Sequence, residues 1–235
     1  YDGRSQLRLD TWDEAAAAAA WSGLGGRPCV AERRLDLECE ISVMVARRPG
    51  GQVRVFPPAL NHHDQGILTW SVIPAPLEPR LLREAQELAA AIAQALAVEG
   101  LLAVELFLPS GGGLLVNELA PRPHNTFHAT ERACVTSQFE QLVRAVCDLP
   151  LGEVDVVRPA AIYNLFGDLW MGAHPPAFEQ VFALPGVKPH LYGKEAARPR
   201  RKMGHLSAIG DSPQAALASV QAAWERLAAS TRAGC

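Results

Sequence analysis

Apolar and polar positions follow several rhythms along this chain, and each rhythm predicts a different element. Leu81, Leu82, Ala85, Leu88, Ala89, Ile92 and Leu96 recur at the 3.6-residue period of one helix face, with Gly100 as a stop signal. Thr11 with Glu14 and Ser137 with Glu140 have capping-box spacing, which predicts helices over about 11–21 and 137–147. A last helix is expected after Asp211 or Ser212, with Pro213 in its first turn. Shorter apolar or alternating runs predict strands at 29–33, 38–48, 52–56, 66–72, 101–108 and 114–120. Pro49-Gly50-Gly51 turns the second of these into the third as a hairpin.

After Gly152 the texture changes. Short strand-like pieces at 160–165, 187–192 and 205–209 alternate with turns rich in Pro and Gly. This places a boundary near 152–158, dividing the chain into 1–155 and a smaller β-rich unit with a final helix over 156–235. The fold class expected is α/β in the α+β sense.

Composition narrows the functional classes. Apolar residues make up 49% of the 235 residues, enough for a substantial core. With a net charge of −3 and a pI near 6.2, no basic stripe suggests nucleic acid, although 198–202 forms a local basic cluster. No apolar run is long enough for a membrane span, and the opening Tyr-Asp-Gly-Arg is not a signal peptide. It reads as a loop already in progress, so an upstream region is expected to be missing. Cys29, Cys39, Cys134, Cys147 and Cys235 are odd in number and include no CxxC pair. They are expected to be small buried hydrophobes in a reducing cytoplasm.

The chemistry concentrates in 105–128. If Ser110 to Gly113 closes a hairpin, paired positions sum to 223, Pro109 faces Leu114, and Glu105 lies opposite Glu118. Two carboxylates at 4–5 Å repel by about 3–4 kcal/mol at an effective dielectric near 20. Protonation of one acid, a basic partner such as Arg122, or a cation between them would offset this. Carboxylate oxygens suit Mg²⁺, which uses few protein ligands beside phosphate oxygens. On the residues alone these alternatives stay open, as do a register slip and a solvent-facing acid. Arg122 can hold a small oxyanion through its planar fork, and His124 can exchange protons near neutral pH. His124 and His128 have HxxxH spacing but lack an acidic partner, so zinc is not expected there. His62-His63 reads as a loop pair.

The stretch VNELAPRPHNTFHATERACVTSQFEQLVRAVCDLPLG (116–152) closely resembles the ATP-grasp 5-(carboxyamino)imidazole ribonucleotide synthases of purine biosynthesis. YDGRSQ (1–6) is similar to their mobile phosphate-covering loop, with Ser5 where a glycine is usual. VAERRLDLECEISV (30–43) resembles the hinge and adenosine-binding strand. NHHDQGIL (61–68) and YGKEAARPRRKMGHL (192–206) resemble later motifs, the last one residue longer upstream than the usual pattern.

The resemblance implies an ATP-grasp domain, entered at its phosphate-covering loop, followed by a small C-terminal β-rich domain. It implies a ligase forming a C–N bond. ATP and bicarbonate would give carboxyphosphate, then CO₂, which the exocyclic amine of 5-aminoimidazole ribonucleotide captures. The implied cofactors are ATP and Mg²⁺, with Mn²⁺ as a substitute; a cytoplasmic homodimer is implied, with no nucleic acid and no membrane. Glu105 and Glu118 would hold the metal. Glu32, Arg33, Arg34, Leu35, Glu40, His63, Asn117 and Glu118 would contact ATP. Tyr1, Asp2, Arg4, Arg122 and His124 would serve catalysis, with Asp2 also facing the substrate amine. Asn125, Lys194, Arg201 and Lys202 would bind the ribonucleotide. The rivals are another ATP-grasp ligase or carboxylase, which would share the glutamate pair, and a truncated, non-catalytic nucleotide-binding module.

Overall fold

The computed structural model describes residues 7–11 and 13–232. Helix α1 (Glu14–Gly23) is followed by β1 (Leu37–Arg47), β2 (Val53–Val55), β3 (Ala59–Asp64), β4 (Ile67–Ile73) and α2 (Pro79–Ala95). Next come β5 (Gly100–Pro109), β6 (Leu115–Ala120), α3 (Thr130–Ala133), α4 (Gln138–Val146) and β7 (Ala160–Phe166). The chain closes with α5 (Phe178–Phe182), β8 (Val187–Leu191), β9 (Lys202–Ile209) and α6 (Pro213–Arg232). Among the described residues the strands form one antiparallel sheet in the order β6-β5-β1-β3-β4-β7-β9-β8, with β2 paired to the end of β1. The sheet runs through the expected boundary without a break, because β4 pairs with β7. This mixed helix and antiparallel-sheet architecture agrees with the expected fold class.

Strand alternation decides what each helix covers. Ile41, Val43 and Val45 of β1 and Leu102, Val104 and Leu106 of β5 bury against Ala85, Ala89 and Ala93 of α2. Met44, Ala46, Leu101 and Ala103 point to the other face, under Phe127 and Ala145. With both faces covered, β1 reads as an unbroken buried run rather than an alternating one. A third core cluster, with Ala161, Leu165, Leu206 and Ala208, packs under Val220, Ala223 and Leu227 of α6.

Several expectations are corrected. The N-cap of α1 is Asp13, whose carboxylate accepts from Ala16 N, and not Thr11. Residues 29–33 form no strand among the described residues; they are exposed and find no strand to pair with. The ALNHHD segment, too polar to signal a strand, is β3; His62 and His63 are therefore strand residues rather than a loop pair. Gly100 does not stop α2: Ala97 takes the left-handed turn (φ 48°), and Gly100 (φ 106°) opens β5. Cys29 and Cys147 are exposed, against expectation, whereas Cys39 and Cys134 are half-buried and pack against the core. Cys235 lies outside the described residues. No helix among these residues is long and apolar enough to cross a membrane.

Candidate active site

The β5–β6 hairpin places Glu105 directly opposite Glu118, as the sum of 223 predicts. Beyond that pair the register changes. Leu106 faces Val116 and Phe107 faces Leu115, so Pro109 does not face Leu114. A bulge at Asn117 absorbs the difference. Bulges re-aim side chains, and here Asn117 Nδ2 comes to 3.5 Å from Glu105 Oε2. The bulge therefore adds a neutral amide to the acidic pair.

Glu105 shares its face of the sheet with Leu101 and Ala103, but the helical cover ends before it does. Glu105 and Phe107 emerge instead into a cavity of about 790 Å³. Glu40 and His63 line it from β1 and β3, joined by a 2.7 Å contact between His63 Nδ1 and Glu40 Oε2. Beneath them Asn61 Nδ2 donates to Ser42 Oγ (2.6 Å), and Ser71 Oγ donates to Thr126 O (2.8 Å). These buried bonds tie three strands and the 122–128 loop into one floor. Burial pushes the Glu105 carboxyl above its ordinary range; Glu118 and Glu40 push the same way, while His63 and Lys202 oppose them. An acid so placed favours a cation beside it. The hard oxygen donors of Glu105 and Glu118 fit Mg²⁺.

Arg122 donates to Pro123 O (3.2 Å), and no ion pair joins it to Glu118 among the described residues. His124 is held at both ends of its backbone by the buried amide of Gln138. His124 N donates to Gln138 Oε1 (2.8 Å), and Gln138 Nε2 donates to His124 O (3.0 Å). The His124 ring shares a 2.9 Å hydrogen bond with Thr126 Oγ1 and stands 3.6 Å from Glu105 Oε1, too far for a hydrogen bond. Burial, with Arg122 and Lys202 nearby, pushes its pKa down to about 4. His124 is therefore a neutral imidazole at pH 7, and the expected proton exchange near neutrality is corrected. Asn125 lines the same cavity, and both polar atoms of its buried side chain lack a partner among the described residues. Such an amide calls for a ligand or water group.

Behind this loop, His128, His205 and His190 stack in a column with ring centroids 4.9 and 4.5 Å apart. Burial lowers His128 to about 4 and His205 to about 2. Groups whose folded pKa is depressed leave the unfolded chain to bind more protons between the folded and unfolded values. Stability is therefore full above about pH 6.5 and is expected to fall as pH drops towards 4, by on the order of 1.4 kcal/mol per proton per pH unit. Urea unfolding at several pH values measures the slope; a flat profile from pH 7 to 4.5 would refute the neutral assignments.

The cavity also has basic lining residues, Arg200, Arg201 and Lys202. Lys202 opens β9, and burial lowers its pKa while Glu105 holds it up. Lys194 Nζ donates to Lys202 O (2.6 Å), and Arg201 donates to Ala196 O (2.8 Å). The basic segment is thus folded back on itself.

Of the residues expected from the sequence, Glu32, Glu40, His63, Glu105, Asn117, Glu118, Arg122, His124, Asn125, Arg201 and Lys202 line the one cavity. Lys194 reaches it only through Lys202 O. Arg33, Arg34 and Leu35 sit on the irregular segment before β1 and do not line it. Tyr1, Asp2 and Arg4 lie outside the described residues. Sequence reasoning missed Phe107, which alternation from Glu105 could have found, and Gln138, which holds the His124 backbone; Arg200 was visible only as one arginine of the 198–202 cluster, without its partner Gln65.

Residues 1–139 match the ATP-grasp domain, and residues 160–219 match the phosphoribosylaminoimidazole carboxylase C-terminal domain. The N5-carboxyaminoimidazole ribonucleotide synthase of Bacillus subtilis is 41% identical over 208 residues, 88% of this chain and 53% of that protein. The Mycobacterium tuberculosis protein of the same name is 42% identical over 219 residues, 89% of this chain and 50% of that protein. The chain spans about half the length of the curated relatives it matches. Among solved structures, an N5-carboxyaminoimidazole synthetase from Staphylococcus aureus complexed with ADP superposes with a TM-score of 0.84 at 30% identity, covering 95% of this chain and 58% of that one. An Aspergillus clavatus synthase in complex with ADP and 5-aminoimidazole ribonucleotide gives 0.80 at 29% identity, covering 91% and 57%.

Proposed function

The chain belongs to the ATP-grasp family, and on that premise we propose that it serves the ATP- and bicarbonate-dependent carboxylation of 5-aminoimidazole ribonucleotide at its exocyclic amine. The observation that carries this reading is one cavity lined both by an opposed glutamate pair and by Arg201 and Lys202. That arrangement suits a metal-bound triphosphate on the acidic side and a phosphate monoester on the basic side. The named relatives support the same substrates. The division at residue 155 is supported by the two separate family matches. A cytoplasmic homodimer rests on the family resemblance.

In the balanced reaction the terminal phosphoryl group of ATP passes to a bicarbonate oxygen, releasing ADP. Carboxyphosphate then breaks its C–O bond to give CO₂ and phosphate, and the amine nitrogen bonds to CO₂ and loses a proton. Glu105 and Glu118 would hold Mg²⁺, which when bound supplies charge neutralisation to the phosphates. Asn117 orients the acidic pair through its contact with Glu105. Glu32, Glu40 and His63 border the nucleotide, with Arg33, Arg34 and Leu35 as its hinge. Arg122 and the neutral His124 donate hydrogen bonds to bicarbonate oxygens, and Asn125 offers its unpartnered amide to the substrate. Tyr1, Asp2 and Arg4 belong to the covering loop in this reading. Lys194, Arg201 and Lys202 hold the ribonucleotide phosphate.

The test is ADP release and ¹⁴C-bicarbonate incorporation by the complete native protein. Turnover is expected to require bicarbonate and 5-aminoimidazole ribonucleotide together. Turnover with formate and glycinamide ribonucleotide instead would reassign the acceptor. Nucleotide binding without turnover under either condition would mean a non-catalytic module.

A further inference from the structure

We infer that Arg200 is a positioning residue, a strut that sets the spacing between the acidic and basic walls of the cavity by gripping the β3–β4 turn at Gln65. Two residues that carry a Cβ, Gln65 (φ 48°) and Arg200 (φ 62°), adopt left-handed backbone, a region that disfavours such residues. They hold each other. Arg200 donates from one guanidinium nitrogen to Gln65 Oε1 (3.0 Å) and from another to Gln65 O (2.7 Å). Local strain of this kind persists where the surroundings over-determine it and clusters at functional sites.

The rest of the segment is equally constrained. Arg200 N donates to Asp168 Oδ2 (2.7 Å), and Gly167 N donates to Arg201 O (2.8 Å). The backbone of Arg198 lies so close to Gly167 that a Cβ there would collide with it. The loop is thus pinned from beneath by 167–168 and from the side by Gln65.

The two ends of the strut belong to two segments that border the one cavity, the β3–β4 turn at Gly66 to Leu68 and the basic segment at Arg200 to Lys202. Gln65 follows β3 directly, and β3 carries His63, the partner of Glu40. Arg200 precedes Arg201 and Lys202, the cations that line the same cavity as those acids. The Arg200 guanidinium already spends two of its nitrogens on Gln65, so its part is to aim its neighbours rather than to hold a ligand. A planar fork gripping a side-chain oxygen and a backbone oxygen together suits that part.

The expected effect on affinity assumes the function proposed above. Arg200→Gly relaxes the left-handed backbone while removing the strut. In the complete native protein its melting temperature is expected not to fall. Its KM for 5-aminoimidazole ribonucleotide is expected to rise about tenfold, with kcat and the KM for ATP within about twofold of wild type. Gln65→Gly probes the same grip from the other side and is expected to move the ribonucleotide KM in the same direction by less, since the carbonyl remains. A folded Arg200→Gly protein with unchanged ribonucleotide KM, or with an equal rise in the KM for ATP, overturns the strut. Lys202→Ala run alongside separates the two failures. If it raises the ribonucleotide KM and neither strut variant does, the strut alone is wrong. If it too leaves that KM unchanged, the substrate reading of the cavity is wrong and the strut falls with it.

Discussion

Glu118→Gln and Glu105→Gln are each expected to lower metal-dependent turnover by roughly 10²- to 10³-fold, the equivalent of a few kcal/mol of lost charge stabilisation. The two variants should part company in stability. Glu118 is exposed on β6, so its replacement should leave the melting temperature near that of wild type. Glu105 is different, with only 13% of its side chain exposed and its pKa raised by burial. For an acid with a raised folded pKa, the folded state binds more protons between the ordinary and the raised value. Stability therefore falls as pH rises through that window. At pH 7 the raised pKa of Glu105 costs stability in the protein without nucleotide or metal, and Gln removes that cost. Glu105→Gln should melt higher than wild type at pH 7, with the gap closing below the ordinary carboxylate pKa. A dead enzyme of raised stability marks a group held in place for function rather than for folding. Wild-type turnover in Glu118→Gln would reject the metal assignment. A lower melting temperature for Glu105→Gln at pH 7 would reject the electrostatic account of the site.

Lys202→Ala is expected to raise the KM for 5-aminoimidazole ribonucleotide roughly 10- to 100-fold, the range for losing a charge-assisted hydrogen bond to a phosphate. The KM for ATP should change less, because the acids assigned to the metal and nucleotide, Glu40, Glu105 and Glu118, come from β1, β5 and β6 rather than from the basic segment. Burial lowers the Lys202 pKa, so its cation is lost at a lower pH than that of a surface lysine. Ribonucleotide affinity should weaken on the alkaline side accordingly, and a pH titration of KM measures it. A selective rise in the KM for ATP would assign the basic wall to the nucleotide.

How far the sequence led can be followed through the hairpin. The apolar runs on either side of Gly111-Gly112-Gly113 located β5 and β6, because strand propensity and turn chemistry are local. They also located the pairing of Glu105 with Glu118. The bulge at Asn117 was invisible, since a single inserted residue changes no periodicity. Helices α2, α4 and α6 were legible from period, caps and Pro213. Strand β3 was not: its buried Asn61 is paired by Ser42 and Ser71, whose proximity only the folded sheet creates. The pattern YGKEAARPRRKMGHL marked a basic segment, yet it gave no sign that Arg200 would turn away to Gln65, 135 residues distant in sequence.

The sequence by itself determined which elements form, where most of the ionisable residues of the cavity fall along the chain, and the family resemblance. Tertiary structure alone decided their states. His124 is neutral and Glu105 hard to ionise because burial removes water from them. The acids and Lys202 share one cavity because β4 pairs with β7 and β7 with β9, carrying one sheet from the acids to Lys202. Periodicity records local backbone preference, whereas desolvation and long-range contact exist only after the chain has closed on itself.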